Sequence, residues 1–465
     1  MFANSLTNRK QLIKQALATL SLSQLPLSNL QAASKPQLHY PAKAKSVIFC
    51  YMSGGVSHVD SFDPKPKLNK YHGKPMPGKV LKTQFDNNGN IMASPWKTSR
   101  YGQSGLEMTN LFPEIAKHAD DIAIVRSMTS KFSEHAQGNF YMHTGFPFLG
   151  HPSAGAWLNY GLGSENSNLP GNIVLKNNSG MPHGGVSIFG NGYLPATTQG
   201  SFIDLANKSP IFNIKPKDSI EDQQKSLELI YQMDRLFADK IADRMDVHSM
   251  VNNMETAFQM QSTIPELVNL EQETEATKKL YCLDHNKDYV ANYGKQCLVA
   301  RRLVERGVRF IELTCASAYG KQSANPWDQH GNIKKDHGLM AEQVDAPIAG
   351  LIKDLKSRGL LDSTLIIFTG EFGRTPFSQG SNGRDHNPYG FSLWMAGGGV
   401  KGGRVLGATD ELGYHATENV STIYDLWATV LHQMGLNHEK LTYYYSGRNM
   451  RLTDVHGHVW KDLIT

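Results

Sequence analysis

Lys45-Ser46-Val47-Ile48-Phe49-Cys50-Tyr51-Met52 runs straight into Ser53-Gly54-Gly55. An unbroken apolar run of this length, closed by glycines, reads as a strand buried on both faces that opens onto a loop. The pattern recurs. Residues 122–128 and 308–314 are apolar runs, 364–369 opens onto Gly370-Glu371-Phe372-Gly373, and 391–396 ends in Gly397-Gly398-Gly399. Shorter strands are expected at 173–175 and 186–189. Helical spacing of apolar residues appears at 111–119, at 294–305 before Gly307, at 345–357 before Gly359, and at 421–434. Strands alternating with helices predict an α/β fold with a mostly parallel central sheet and helices on both faces. In such sheets ligands bind beyond the carboxyl ends of the strands.

The 465 residues, 40% hydrophobic and 19% charged, are enough for one large core without disulfide staples. Four cysteines exclude a disulfide-rich scaffold. Cys282 and Cys297 are free to pair, but their spacing does not require it. No apolar run approaches the roughly 18 residues of a membrane span. Residues 1–33 hold Arg9, Lys10 and Lys14 and no acid, then a weak apolar stretch ending in Gln31-Ala32-Ala33. This predicts a signal peptide over 1–33, twin-arginine-like with a lysine for the second arginine. Periplasmic or secreted localisation and passage through the twin-arginine export machinery follow as expectations. No cysteine near the cleavage site offers a lipid anchor. Without this segment the net charge falls from +5 to about +2, and no polybasic run remains to suggest nucleic acid. Residues 34–465 are expected to form a single domain with a helical insertion near 216–300.

Four loops after predicted strands concentrate acids and histidines. They are Ser57-His58-Val59-Asp60-Ser61-Phe62-Asp63; Ser133-Glu134-His135-Ala136-Gln137-Gly138-Asn139; Trp327-Asp328-Gln329-His330; and Glu371 through Arg374 to Gly383-Arg384-Asp385-His386-Asn387. Carboxylates and imidazoles are the donors that borderline divalent metals prefer, and the absence of cysteine argues against structural zinc. One ion, or two about 4 Å apart, would suit phosphoryl or sulfuryl transfer. Arg374 and Arg384 are candidates for gripping a tetrahedral oxyanion. A capped turn or a solvated loop histidine remains the blander reading of each motif.

Met52-Ser53-Gly54-Gly55-Val56-Ser57-His58-Val59-Asp60-Ser61-Phe62-Asp63-Pro64, residues 297–310, Gly370-Glu371-Phe372-Gly373-Arg374-Thr375-Pro376 and Gly383-Arg384-Asp385-His386-Asn387-Pro388 together resemble the domain of unknown function 1501 family. That family is grouped with the sulfatases in the alkaline phosphatase superfamily, and the likeness spans about residues 45–435. It implies an alkaline phosphatase/sulfatase-like fold and a metal-dependent hydrolase of phosphate or sulfate esters, acting on a small-molecule or glycan oxyanion ester. It also implies a ligand set. Arg358-Gly359-Leu360-Leu361-Asp362 precedes the 364–369 strand, as in sulfatases and phosphodiesterases, so Glu371 matches a ligand aspartate. Phe372 stands where a histidine ligand is usual. Asp328 and His330 resemble the pair that binds the other ion, and His386 the late ligand, with Asp385 beside it. Asp60 is the expected ligand from the first loop. The expected cofactor is therefore one or two divalent ions (Zn, Mn or Ca). No Cys/Ser-x-Pro-x-Arg occurs in the chain, so a formylglycine sulfatase is disfavoured. Aligning on Thr144-Gly145 puts His135 at the nucleophile position and Asn139 at its arginine. The expected catalytic residues are thus His135, Asn139 and Arg374, with His135 either a nucleophile or, preferably, a further ligand, and Ser133 in reserve. A catalytically degenerate protein that binds anionic glycans is the alternative.

Overall fold

The structure is a computed structural model that describes residues 38–465 apart from 86, 178–179, 213, 216–217, 239–244 and 320–322. The expected signal segment 1–33 lies outside the described residues.

The main sheet has nine strands. They are β1 (Ser46–Tyr51), β2 (Ile122–Thr129), β3 (Asn172–Lys176), β4 (Ser201–Asp204), β5 (Phe310–Thr314), β6 (Thr364–Thr369), β7 (Phe391–Ala396), β8 (Arg404–Leu406) and β9 (Ser421–Thr422). Their order is β8-β2-β7-β6-β1-β5-β3-β4, with β9 also beside β2. β1 lies parallel between β5 and β6, in register Ile48 with Ile311 and Ile366. β3 and β4 extend the parallel run. Only β7 is antiparallel to its neighbours, β6 and β2.

β1 divides the interior. All six of its residues are buried, and alternate side chains point to opposite faces. Ile48 and Cys50 enter a core shared with α3 (Asp288–Glu305) and α4 (Ile333–Ser357). Val47, Phe49 and Tyr51 enter the other, shared with α1 (His135–Thr144), α2 (Ala154–Leu162) and α5 (Ile423–Gln433). Helices therefore cover both faces of a mostly parallel sheet, as the alternating sequence pattern implies. α5 is fixed by a capping box between Thr422 and Asp425, and its Trp427 Nε1 donates to Met142 O of α1 at 2.7 Å.

Several expectations are corrected. Residues 135–144, read as a loop, form α1, capped by the Glu134 side chain on Gln137 N–H. Eight of its ten residues are buried, so no single apolar stripe announced it. The segment 186–189, read as a strand, is a 3₁₀ turn (Gly185–Phe189) entered through Gly184 at φ 103°. The last of the four loops is an antiparallel hairpin of Gly373–Gln379 and Gly383–Asn387. α4 begins at Ile333, and Pro347 sits inside it. The region expected as a helical insertion carries helices Ile220–Ala238, Met245–Val268 and Glu275–Leu280 before α3. All four cysteines are free thiols. Burial pushes Cys50 and Cys315 up to about 12, which leaves them as unreactive core groups.

Phe49 is fully buried against Tyr51, His143, Phe310 and Trp427. Phe49→Ala should destabilise the fold by about 3–5 kcal/mol, read from denaturant midpoints.

Candidate metal centre

Four side chains converge beyond the carboxyl ends of the central strands: His135, Asp328, His330 and His386. His135 is the first residue of α1, which follows β2. Asp328 and His330 lie between β5 and α4. His386 lies on the second strand of the hairpin that follows β6. Close backbone packing sets these segments. Gly54, at φ 109° just beyond β1, lies so near the Asp328 loop that a Cβ would meet Trp327 and Asp328 backbone atoms at 2.5–2.8 Å. Only glycine fits there.

One donor atom from each of the four residues lies within 4.8 Å of all the others. Asp328 Oδ1 is 2.7 Å from His330 Nε2 and 3.0 Å from His386 Nε2, and Oδ2 is 3.1 Å from His135 Nε2. The Nε2 atoms of His330 and His386 are 3.1 Å apart. Bonds of about 2.0–2.2 Å to one tetrahedral ion would separate its ligands by roughly 3.3–3.6 Å, between the shortest of these spacings, 2.7 Å, and the 4.8 Å that bounds the set.

The outward nitrogens fix the rings. His135 Nδ1 meets Glu371 Oε1 at 2.6 Å, His386 Nδ1 meets Ser133 O at 2.6 Å, and His330 Nδ1 bonds Gln379 Oε1. Each partner is an acceptor, so each Nδ1 carries the proton and each Nε2 turns a lone pair inward. Lone pairs of three imidazoles then face a carboxylate across about 3 Å. Only protons or a cation relieve that crowding. His135 Nε2 is buried and makes no hydrogen bond of good geometry, despite its proximity to Asp328. The donor set therefore fits a divalent cation.

The electrostatics agree. Burial pulls His135 down, but Asp328 and Glu371 outweigh it and raise it to about 9. Burial opposes ionisation of Asp328, yet Arg374 and the three histidines hold it well below the usual carboxylate range. Burial, with Arg374 and His135 nearby, lowers His386 to about 4. The pocket holds a fixed anion and draws positive charge. Phe372 forms its floor, with its ring 4.5 Å from His386 and 5.1 Å from His135.

The other expected site residues lie around this cluster rather than in it. Glu371 is fully buried and accepts from Gly54 N–H at 2.8 and 3.0 Å, from Tyr51 Oη at 3.3 Å and from His135, so its oxygens are taken. Asp60 is fully buried and paired with Arg384 at 2.6 and 3.1 Å, with Ser57 Oγ donating at 2.6 Å. Asp63 pairs with Lys65 at 3.0 Å. Asp385 accepts from His386 N–H and Phe85 N–H. Arg374 is fully buried and donates to Asp328 Oδ1 at 2.7 Å and to backbone oxygens of Gly54, Gly55, Trp327 and Arg384. It is thus a support for the Asp328 carboxylate, not a hand held out to substrate. Asn139 accepts from Tyr51 Oη at 2.5 Å and donates to His183 O at 3.0 Å.

Sequence reasoning missed Gln379, Phe85, His183 and His337. The His183 ring is 5.9 Å from that of His135, and its place before Gly184-Gly185 was the available signal. His337 is fully buried on α4. It accepts from Ser57 N–H at 2.9 Å and bonds Gln329 Oε1, which ties the residue between Asp328 and His330 to the helix.

Residues 44–464 match the family described as "Protein of unknown function (DUF1501)". The chain belongs to this family. No curated protein matches the sequence. Among solved structures the chain is similar to the lipoteichoic acid synthase LtaP from Listeria monocytogenes (9% identity, covering 89% of this chain and 76% of that one, TM-score 0.41). It is also similar to Ps i-CgsB, solved with k-i-k-neocarrahexaose (12% identity, 86% and 73%, TM-score 0.39), and to alkaline phosphatase from the Antarctic bacterium TAB5 (10%, 77% and 92%, TM-score 0.30). Likenesses this distant say nothing about the reaction.

His135→Ala, Asp328→Ala and His386→Ala should each weaken zinc binding at least a hundredfold by calorimetric titration, whereas Glu371→Gln, which acts on the cluster through the His135 ring, should weaken it about 10–100-fold. Asp60→Asn should leave zinc affinity unchanged and cost about 3–5 kcal/mol of stability, because it strands the buried Arg384. His337 carries a separate pH dependence. Burial, with Arg374 nearby, lowers it from 6.5 to about 3. Below pH 6.5 the unfolded chain takes up a proton that the folded chain refuses. Stability should therefore fall by about 1.4 kcal/mol per unit as pH drops from 6.5 toward 3. Denaturation of His337→Gln over that range should show a slope shallower by that amount.

Proposed function

We propose that this chain is an exported, metal-dependent hydrolase of phosphate or sulfate esters, with phosphatase or phosphodiesterase chemistry favoured over that of a formylglycine sulfatase. The observation that carries the reading is the set of three imidazoles, each pinned at Nδ1, whose Nε2 atoms converge with Asp328 on one point. Imidazole-rich donors favour zinc over manganese and calcium, which prefer oxygen. Such an ion, when bound, supplies positive charge to an ester oxygen and acidifies water.

The chain's own groups do the rest. Asp328 balances the ion's charge, and Arg374 fixes its carboxylate. His135, aimed at the same point as the other three donors, serves as a ligand rather than a nucleophile. With no hydroxyl or thiol at the position expected of a nucleophile, water attacks phosphorus or sulfur directly, and the ester oxygen leaves with a proton. Asp328 and His330 are 24% and 25% exposed, while His135 and His386 are nearly closed off, so substrate enters on the Asp328–His330 side. Export rests on the pattern of residues 1–33, which implies the twin-arginine machinery and a periplasmic or secreted destination.

The four protein donors also favour a second reading. They would fill a tetrahedral ion's positions, as structural sites do, and the buried arginines offer no grip on an oxyanion. The protein would then bind anionic glycans without cleaving them. Load the chain with zinc, manganese or calcium and assay an aryl phosphate, a bis-aryl phosphate and an aryl sulfate. Metal-dependent turnover, abolished by chelator and lowered at least a thousandfold by Asp328→Ala, is expected. No turnover in any metal form, with tight binding of a sulfated glycan that survives Asp328→Ala and His386→Ala, would establish the second reading instead.

A further inference from the structure

Phe85 is 56% exposed, yet its position is built. Its N–H donates to Asp385 Oδ2 at 3.4 Å. Earlier in the same loop, Leu81 N–H donates to Tyr414 Oη at 3.1 Å, and Tyr389 Oη donates to Lys82 O at 2.9 Å. Thr83, buried, bonds Asn88 Oδ1 at 3.1 Å. These bonds fix the backbone from which an apolar ring stands exposed to water, against the tendency of such rings to leave it.

The ring stands beside the open side of the metal cluster. It meets His330 edge to face, with centroids 4.9 Å apart at 86°, and His386 at 6.3 Å. Phe372 closes the floor beneath His386. A molecule that brings an ester oxygen up to an ion held by the four donors, past His330, would have its remaining part next to Phe85. Phe85, an exposed residue, is accessible to it. Among the described residues the ring's aromatic contacts are His330 and His386, and Phe85 belongs to none of the hydrophobic core clusters.

We infer that Phe85 is a specificity-determining residue, which recognises the flat apolar face of a ring carried by the ester. An aryl ring and the C–H face of a pyranose share that chemistry. Flat apolar faces gain from offset or edge contact with an aromatic ring beyond simple burial. The inference rests on the ester-hydrolase reading above.

Binding separates the two, because it needs no turnover. Load the full chain with zinc and measure its affinity for phenylphosphonate, for a glucopyranosylmethyl phosphonate, and for methylphosphonate, which has no ring. Phe85→Ala should weaken at least one ring-bearing probe about three- to tenfold. It should leave methylphosphonate and zinc itself unchanged, and Phe85→Tyr should restore the loss. The probe that loses most identifies the ring as aryl or sugar. Equal losses for methylphosphonate and the ring-bearing probes, or no loss, would overturn the inference. So would a parallel fall in zinc affinity, which would make Phe85 a prop for His330. A wild-type protein that holds zinc but none of the three phosphonates would bring down the hydrolase reading, and this inference with it.

Discussion

The carboxylate of Asp328 is the group on which the rest of the site depends. It is an anion kept among three histidines and a fully buried arginine. A buried charge without partners would take up a proton or disrupt the fold. Here Arg374 fixes Oδ1, and through backbone oxygens of Gly54, Gly55, Trp327 and Arg384 it joins three loops around that one oxygen. The histidines supply the remaining partners. Because each is tethered at Nδ1 by an acceptor, none can turn away when charge in the pocket changes. The hydrogen bonds alone orient the four donors, which is what a ligand site would require of its supports.

That orientation is inherited from β1. Tyr51, its last residue, reaches Glu371 and Asn139 with one hydroxyl, and Gly54 follows three residues later to accept the Asp328 loop at backbone distance. Glu371 then passes the constraint to His135. A second pair, His143 and Glu312 at 2.9 Å, lies buried nearby and is bonded to Asn139 O through His143 Nδ1. The same strand that separates the two hydrophobic cores thus carries the polar scaffold at its end. Moving β1 would move the site.

How far the sequence could be read follows from this layout. The buried parallel strands were legible, because an apolar run closed by glycine fits little besides a strand buried on both faces. The segments beyond their ends hold His135, Asp328, His330 and His386. α1 was not legible, because a helix buried on most of its surface has no stripe to detect. Nor could the sequence tell a carboxylate that joins a histidine cluster from one that pairs with an arginine alone. Asp60 and Asp328 sit in similar loops with similar neighbours. One meets Arg384, 324 residues away, and the other meets three histidines and Arg374. The difference lies in tertiary pairing alone.

Tertiary pairing also reassigns the arginines. A guanidinium near a candidate site invites an oxyanion-binding role because its fork matches a tetrahedral anion. That role requires unused N–H groups facing the site. Arg374 and Arg384 are fully buried with their forks committed to Asp328, Asp60 and backbone oxygens. They organise the anions of the protein, and the charge left to meet a substrate is whatever the four converging donors hold. On the proposed hydrolase reading, the choice between phosphate and sulfate would therefore fall to the ion and its surroundings rather than to a guanidinium fork.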